Sequence, residues 1–428
     1  MKGVHMKKVS LTYRILIGLV IGVVVGLLVN KMPASTLRDQ ILIGGVFEFV
    51  GQVFLRLIMM LVVPLVFVTL VHGVQGMEDI GKLGRIGVKT VVMYLLTSAI
   101  AIVIALVLGN LFPPAKGINL GTISAVDVTQ KDPVPLVDVL TGMFPKNVFQ
   151  AFGEGNMLQI IVFAILFGIG MSLVSEKIPT VKRFFEEMNE IMLRLIAYVM
   201  KFAPIGVFGL IAKTFGQLGV AVILPVAKYV GLIYVGLIIQ AVVVYGLMLK
   251  VIGGVSPIQF YKKYSKAMGV AFSTASSNAT LPLSLEIATE ELGVDSSISS
   301  FTLPLGATIN MNGTAIMQGI ATLFIAQAYG LQLTIAEMAT VVLTATLASV
   351  GTAGVPGAGA LMLSLVLQSI GLPLEGMGLI LGVDRLVDMG RTTINVTGDS
   401  VCTVLIAKSE KLFNREVYDR DTVKKEAA

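Results

Sequence analysis

Residues 388–399 read DMGRTTINVTGD and lie inside an apolar segment near the carboxyl end of the chain. With Asp384 upstream, the polar side chains Asp388, Arg391, Asn395 and Asp399 follow at intervals of four, three, four and four residues. In an α-helix this spacing places all of them on one narrow face. A charge at mid-bilayer costs at least ~2.5–3.5 kcal/mol, so such a stripe in a membrane helix predicts a polar site. The simpler alternative is a structural network of buried ion pairs.

Composition indicates an all-α integral membrane protein. Of the 428 residues, 55% are hydrophobic and 14% are charged, which is more apolar than a soluble core of this size requires. The first apolar block, residues 15–29, is followed by many others. We therefore interpret it as a spanning helix and not as a cleaved signal peptide.

Several other function classes fit the sequence poorly. Cys402 is the single cysteine, which excludes an internal disulfide and a multi-cysteine metal site. The formal charge of +6 comes in short basic clusters between apolar blocks, as in cytoplasmic loops of membrane proteins, so we expect no nucleic-acid partner. An enzyme is not expected. The polar spans contain no histidine, so Cys402, which lies close to Asp399 in the sequence, has no base to activate it.

Apolar blocks of about 20 residues or more predict the membrane spans. Taken alternately, the basic clusters put both termini in the cytoplasm of a multi-pass protein of the cell membrane. The turn-rich stretch 113–133 is typical of an extracellular loop. We place the spans near residues 11–30, 43–75, 86–112, 150–175, 186–218, 220–253, 297–330 and 375–412.

Two later apolar segments are interrupted by small and polar residues. They are residues 272–282, FSTASSNATLP, and residues 348–359, ASVGTAGVPGAG. Non-helical backbone at membrane depth is tolerated only where it is buried or lines a cavity, so the pair predicts two re-entrant hairpins in an inverted repeat. The alternative is close helix packing by small residues, but five Gly and Pro residues between 351 and 359 would break a continuous helix.

The groups on the predicted polar face indicate what it binds. Arg391 offers a planar fork of donors that suits a carboxylate. Asp388, one turn away, suits an ammonium group, and Asn395 can both donate and accept hydrogen bonds. Together they predict an acidic amino acid as the substrate. A C4-dicarboxylate would use Arg391 but would leave Asp388 without a role.

A cation is expected beside this substrate. If the neighbours Asp384 and Arg385 neutralise each other, Asp399 has no partner on the face. Residues 306–314, GATINMNGT, interrupt the preceding span, and carbonyl oxygens of unwound membrane helices are ligands that sodium takes. The simpler alternative is a glycine kink with asparagines bonded across helices.

These motifs closely resemble those of the dicarboxylate and amino acid:cation symporter family, over nearly the whole chain. The most specific parts are residues 276–282, 310–314, 351–359 and 388–399. The resemblance implies eight transmembrane helices, two re-entrant helical hairpins and a homotrimer in lipid, with a scaffold and a transport domain that moves like an elevator. The predicted division of the chain is as follows: scaffold helices at 1–75, a third span, the extracellular loop and the start of the fourth span at 76–149, scaffold helices four and five at 150–219, a sixth span at 220–255, a transport core at 256–414 and a cytoplasmic tail at 415–428.

The resemblance also implies substrate contacts. Arg391 would bind the side-chain carboxylate, Asp388 the amino group and Ser277 the main carboxylate, while residues 355–359 would form an extracellular gate. The implied contacts are Ser276, Ser277, Asn278, Thr314, Val355, Gly359, Asp388, Arg391, Thr392 and Asn395.

Sodium positions follow from the same resemblance, and no organic cofactor does. The first position comprises Gly306, Asn310, Asn395 and Asp399, the second Thr308, Ser349, Val350 and Thr352, and the third Tyr94, Thr97, Ser98, Asn310 and Asn312. Sodium-coupled members carry aspartate at position 312, so we expect the third position to be weak or lost. A proton in place of one sodium remains an alternative. Two further departures are Asn278, where serine is usual, and Ala275, where some members have an arginine whose charge Arg385 would supply.

Counting charge predicts the coupling ratio. Asp388 and Asp399 against Arg391 leave one negative charge, and an acidic amino acid adds a second. Because uncompensated charge is expensive at low dielectric, we expect two monovalent cations to travel with each substrate. From a different class, the chain would be an ion channel if it passed a linear current without substrate saturation.

Overall fold

The computed structural model describes residues 11–75, 83–115, 141–142, 144–155, 157–349, 354 and 357–420. Within these ranges the chain is almost entirely helical, and its only β-type pairing is an isolated bridge between Val294 and Phe413. The expectation of an all-α protein is therefore confirmed. The number of spans, the domain boundaries and the inverted repeat stay predictions.

The described part of the amino-terminal half consists mainly of long helices. α2 continues from a π-helical segment, Leu37–Phe47. Asn147 caps α4 by accepting from the N–H groups of Phe149 and Gln150, and Gly155 ends it at a φ of 67°. The helices are α1 (Leu11–Asn30), α2 (Glu48–Gln75), α3 (Leu83–Leu111), α4 (Val148–Glu154), α5 (Met157–Leu173), α6 (Pro179–Met200) and α7 (Ala203–Leu218). Then follows α8 (Ile223–Ile239), which runs on through π-helical turns at Gln240–Tyr245 and Met248–Ile252.

The carboxyl-terminal half is built from paired short helices and one long one. The first hairpin comprises α9 (Pro257–Thr274) and α10 (Ser277–Glu290), and the second comprises α13 (Ile335–Ser349) and α14 (Ala358–Ser369). Between them lies a broken helix, α11 (Ser296–Ile309) and α12 (Asn312–Ala328). The last long helix is α15 (Met377–Ser409), followed by the short α16 (Arg415–Asp419).

The breaks in these helices have local causes. Ala275 ends α9 in the left-handed region at a φ of 51°, and Ser276 then caps α10 by accepting from the Ala279 N–H. In the broken helix, Asn310 has a φ of −100° and a ψ of 81°, outside the helical region. Each break removes intrahelical hydrogen bonds and leaves backbone groups free to contact other elements.

Three helical segments among the described residues are long and apolar enough to cross a membrane. They are Tyr13–Asn30, Arg85–Leu111 and Ala203–Ile252. Many of their large apolar side chains are exposed, including Val20, Val107 and Val242. Exposed apolar surface of this extent fits a lipid environment, where it carries no cost of hydration.

α15 lies at the centre of the carboxyl-terminal half. It packs against α3, α7, α8, the broken helix and both hairpins, and almost every residue from Met377 to Ala407 is buried. Charged side chains on a helix that is buried on all sides need ion-pair or hydrogen-bond partners within the protein. This position decides where the functional side chains meet.

Candidate functional site

A small cavity lies where α15, the broken helix and the tips of both hairpins meet. Its volume of about 10 Å³ has room for about one water molecule. A larger ligand therefore requires the surrounding elements to move apart. The lining residues are Ala275, Ser277, Met311, Thr314, Gly354, Gly359, Asp388, Arg391, Thr392 and Asn395.

Arg391 is the most deeply buried charge in this cavity, with 1% of its surface exposed. Its Nη1 donates to Asp384 Oδ1 at 2.9 Å, and its Nε donates to Asp388 Oδ1 at 2.9 Å. The guanidinium thus bridges two carboxylates on its own helix. Removing any member of such a buried network would leave a charge uncompensated.

The charge count set Asp384 against its neighbour Arg385, but the ion pair of Asp384 is made with another residue. Asp384 contacts Arg391 instead, because residues seven apart lie two turns apart on the same face and the long arginine side chain spans that distance. Arg385 Nη1 lies 3.6 Å from Asp388 Oδ2, and its Nη2 donates to the Thr274 carbonyl at 3.4 Å, at the tip of the first hairpin. Which arginine pairs with Asp384 does not change the total charge of these four side chains, Asp384, Arg385, Asp388 and Arg391.

Asp388 connects the site to the second hairpin. Its Oδ2 accepts a hydrogen bond from the Gly357 N–H at 3.1 Å, and its Oδ1 lies 3.5 Å from the Thr392 hydroxyl. Gly357 has a φ of 82°, which a side chain would strain, so this approach depends on glycine. The predicted amino-group acceptor therefore also holds the hairpin tip.

Asn395 connects the site to the broken helix. Its Oδ1 accepts from the Gly313 N–H at 2.7 Å, and its Nδ2 donates to the Thr314 hydroxyl at 3.2 Å. Nδ2 also lies 3.1 Å from the sulfur of Met311. Met311 was not expected in the site, and its apolar side chain gave no signal beyond lying inside the polar interruption.

The two hairpin tips touch each other over the cavity. The Gly354 carbonyl accepts from the Asn278 N–H at 3.2 Å and from the Ser276 hydroxyl at 2.9 Å. Ser276 and Asn278 thus join the tips, whereas Ser277 and Gly359 line the cavity itself. Val355, the remaining expected substrate contact, lies outside the described residues.

The residues of the first expected cation position converge around Asp399. Its Oδ1 accepts from Asn310 Nδ2 at 2.8 Å, and no ion pair to it occurs in the part of the chain that the structure describes. Gly306 packs so closely that a Cβ there would lie 2.6 Å from Asp399 Oδ1. Asn395 lies one turn away on the same helix.

The second expected position is only partly described. The Thr308 hydroxyl donates to the Leu305 carbonyl at 3.0 Å, and the Ser349 hydroxyl donates to the Thr346 carbonyl at 2.7 Å. Ser349 also lies 3.4 Å from the Ile309 carbonyl, which brings the second hairpin to the break in the helix. Val350 and Thr352 lie outside the described residues.

The third expected position is filled by a network of neutral groups around Asn312. Its Oδ1 accepts from the Ser98 hydroxyl at 2.7 Å and lies 3.4 Å from the Thr97 hydroxyl. Its Nδ2 donates to the Tyr245 hydroxyl at 2.8 Å. Tyr94 points elsewhere, since its hydroxyl donates to the Thr302 carbonyl at 2.9 Å. Tyr245 was missed by the sequence analysis, because nothing in its apolar surroundings distinguishes it.

Comparisons with known proteins identify the family of the chain. A sequence profile of the sodium:dicarboxylate symporter family matches residues 11–409. The chain is 34% identical to the proton/sodium-glutamate symport protein of Geobacillus stearothermophilus, across 96% of this chain and 97% of the relative. It is 36% identical to the proton/glutamate-aspartate symporter of Escherichia coli, across 98% of each. A C4-dicarboxylate transport protein of Bacillus subtilis is 31% identical, across 87% of this chain and 89% of the relative.

Proposed function

Because the chain belongs to the sodium:dicarboxylate symporter family, we propose that it carries aspartate or glutamate across the membrane together with sodium ions or protons. The family is one of transporters and not of enzymes. The relatives named as glutamate symporters align over almost the full length of both chains, which supports the same class of substrate here.

One observation carries the proposal: Arg391 and Asp388 line a single buried cavity and lie close together. A carboxylate of the substrate replaces the bonds that Arg391 makes to Asp384 and Asp388. The substrate ammonium then takes the Asp388 carboxylate that Arg391 gives up. Such an exchange keeps Arg391 and Asp388 paired while the ligand enters, which a buried site requires, and it leaves Asp384 without its bond to Arg391.

A C4-dicarboxylate is the second candidate, supported by relatives of that name. A dicarboxylate such as succinate satisfies Arg391 but brings no ammonium group to Asp388. Two negative charges would then lie beside Asp388 and Asp384, and their repulsion at low dielectric disfavours this ligand. We therefore place aspartate or glutamate ahead of succinate or malate.

The test is competition for uptake of labelled aspartate into proteoliposomes containing the purified protein. Unlabelled aspartate or glutamate is expected to compete at least tenfold more strongly than succinate, because an ammonium–carboxylate bond is lost with succinate. Asp388→Asn should remove this preference, whereas the exposed Asp419→Asn should leave it unchanged. Stronger competition by succinate than by aspartate would reverse the assignment.

For the cations, we propose positions at Asp399 with Gly306, Asn310 and Asn395, and at Thr308 with the end of α13. The support is that the Asp399 carboxylate is buried, that Asn310 contacts it at 2.8 Å, and that the helix break frees nearby backbone groups. A monovalent cation beside Asp399 would neutralise it before the loaded site moves.

For the movement, we propose that the second hairpin is the gate and that the transport core slides as an elevator against a trimeric scaffold. The hydrogen bond from Gly357 to Asp388 supports a gate whose closure depends on what Asp388 binds. A substrate ammonium that binds Asp388 acts on the same carboxylate that holds the hairpin. Substrate entry and gate closure are therefore coupled through one side chain.

A further inference from the structure

Tyr229 on α8 is buried with only 1% of its surface exposed, and its hydroxyl has no hydrogen-bond partner among the described residues. Buried tyrosine hydroxyls usually find a partner, since an unpaired polar group in an apolar interior is costly. The ring itself packs against Phe324, with centroids 5.2 Å apart. A phenylalanine would pack equally well there, so the hydroxyl needs its own explanation.

The position of Tyr229 follows from how α8 and α15 run together. The Tyr234 hydroxyl donates to the Leu386 carbonyl at 2.7 Å, and the Tyr245 hydroxyl donates to the Ile394 carbonyl at 3.2 Å. The two helices therefore run in the same direction. Tyr229, which precedes Tyr234 by somewhat more than one turn, lies level with the turn of α15 that holds Asp384.

Electrostatics agree with this register. The Tyr229 hydroxyl interacts electrostatically with Asp384 and Arg391 and makes no hydrogen bond to either of them in this structure. Asp384 faces a change of partner under the proposed function, because Arg391 is the group that meets the substrate carboxylate. When Arg391 Nη1 turns to the substrate, Asp384 loses the donor now at 2.9 Å.

We propose that Tyr229 is a positioning residue for substrate binding: its hydroxyl donates to Asp384 when Arg391 turns to the carboxylate of the substrate. The hydroxyl has no hydrogen-bond partner among the described residues, so its donor is available, and it lies on a helix that does not line the cavity. This inference rests on the proposed function, since it needs an anionic ligand at Arg391. In this proposal Tyr229 increases the affinity for acidic substrates without contacting them.

The test is Tyr229→Phe, with Tyr234→Phe as the matched control on the same helix. Binding of aspartate in the presence of sodium is measured by calorimetry on the purified full chain. We expect Tyr229→Phe to raise the Kd for aspartate about tenfold, as expected for a lost hydrogen bond to a charged group. Tyr234→Phe should change it less than about twofold, because an exposed hydroxyl loses little when its bond is removed.

Thermal unfolding separates positioning from a purely structural role. Without substrate, Tyr229→Phe should unfold at the parental temperature or higher, because its hydroxyl has no bond to lose. The upward shift in unfolding temperature produced by aspartate should shrink, while the shift produced by sodium alone should stay unchanged. A variant with a lower unfolding temperature in the absence of substrate would show a structural role and overturn the proposal.

The outcomes also distinguish this inference from the proposed function. If the parental protein binds aspartate and Tyr229→Phe binds it equally well, the positioning role is overturned and the transporter assignment stands. If the parental protein binds no acidic amino acid at all, the proposed function fails and the inference fails with it.

Discussion

Arg391 has two roles that a substitution separates. It forms ion pairs with Asp384 and Asp388 in the buried cluster, and it provides the fork that receives a carboxylate. Loss of one partner from a buried ionic network typically costs about 3–5 kcal/mol. A simple loss of activity in a variant at this position would therefore confuse instability with loss of recognition.

We predict that Arg391→Ala abolishes aspartate binding and lowers the free energy of unfolding by about 3 kcal/mol. Adding Asp384→Asn should restore part of the stability, because one uncompensated charge is removed, but should not restore aspartate binding. Calorimetry and thermal unfolding measure the two effects. Aspartate affinity at the parental level in either variant would exclude Arg391 as the carboxylate ligand. A neutral amino acid should be tested as a ligand of Arg391→Ala in place of aspartate.

Gly359 provides space at the cavity. A Cβ at this position would lie 2.8 Å from Thr314 Cγ2 and 3.0 Å from Arg391 Cζ, so Gly359→Ala fills the volume beside the guanidinium. We expect the affinity for aspartate to fall at least tenfold, because the methyl group and the carboxylate compete for one place. Gly269→Ala is the control, since nothing lies within 4 Å of its Cβ. Equal affinities in both variants would show that the substrate binds elsewhere.

At the scale of elements, the two hairpins meet through few contacts. The bonds from Asn278 and Ser276 to Gly354, and from Gly357 to Asp388, hold the tip of the second hairpin. Each bond between neutral groups is worth about 0.5–1.5 kcal/mol and the bond to Asp388 about 1.5–3 kcal/mol, so the tip can open at modest cost. Gly357 gives the backbone the freedom that a hinge between two states needs.

We predict that substrate and sodium together close this tip. A cysteine placed at Ala358, which is fully buried, in a Cys402→Ala background should react with a soluble thiol probe in the absence of ligand. Aspartate with sodium should slow the reaction at least tenfold, whereas either ligand alone should slow it less. A cysteine at the exposed Tyr198 is the control and should react equally in all conditions. Identical rates at Ala358 with and without both ligands would argue against a gate.

Sequence periodicity was sufficient to identify the polar face of α15 and the breaks near residues 275, 310 and 354. These features follow from local rules, namely helical spacing and the few backbone conformations that Gly, Asn and Pro runs favour. The ion pairs could not be predicted in the same way. Helical spacing allows Asp384 to pair with either Arg385 or Arg391, and only the packing of the helix decides between the two. Three residues near the site could not be predicted, because they lie in apolar stretches of sequence that give no sign of their position in the fold. They are Met311, Tyr229 and Tyr245.

At the scale of the whole molecule, the charge of the site decides how many cations move with the substrate. Asp384, Asp388 and Asp399 against Arg385 and Arg391 leave one negative charge, all of them buried. An acidic substrate adds another, so neutrality requires two monovalent cations. Asn312 offers only neutral oxygen and nitrogen to its neighbours Ser98 and Tyr245.

We predict that Asn312→Asp adds a cation to this count. A carboxylate at this position would face the Ser98 and Thr97 hydroxyls, which together supply the oxygen ligands that sodium prefers. Aspartate binding should then depend more steeply on sodium concentration, and reversal potentials in vesicles should shift toward a higher ratio. Asn110→Asp, remote from the cavity on α3, is the control. A parental ratio of three sodium ions per substrate would show that the neutral Asn312 removes no site.

The central claim is that transport of an acidic amino acid is driven by a cation gradient, and uptake of labelled aspartate into proteoliposomes tests it most directly. Inward sodium and proton gradients are imposed separately at zero membrane potential. We expect at least one gradient to accumulate aspartate above its external concentration, with saturation and with loss of accumulation when the gradient is collapsed by an ionophore. Equilibration to the external concentration under both gradients, or a linear current without saturation, would contradict the account.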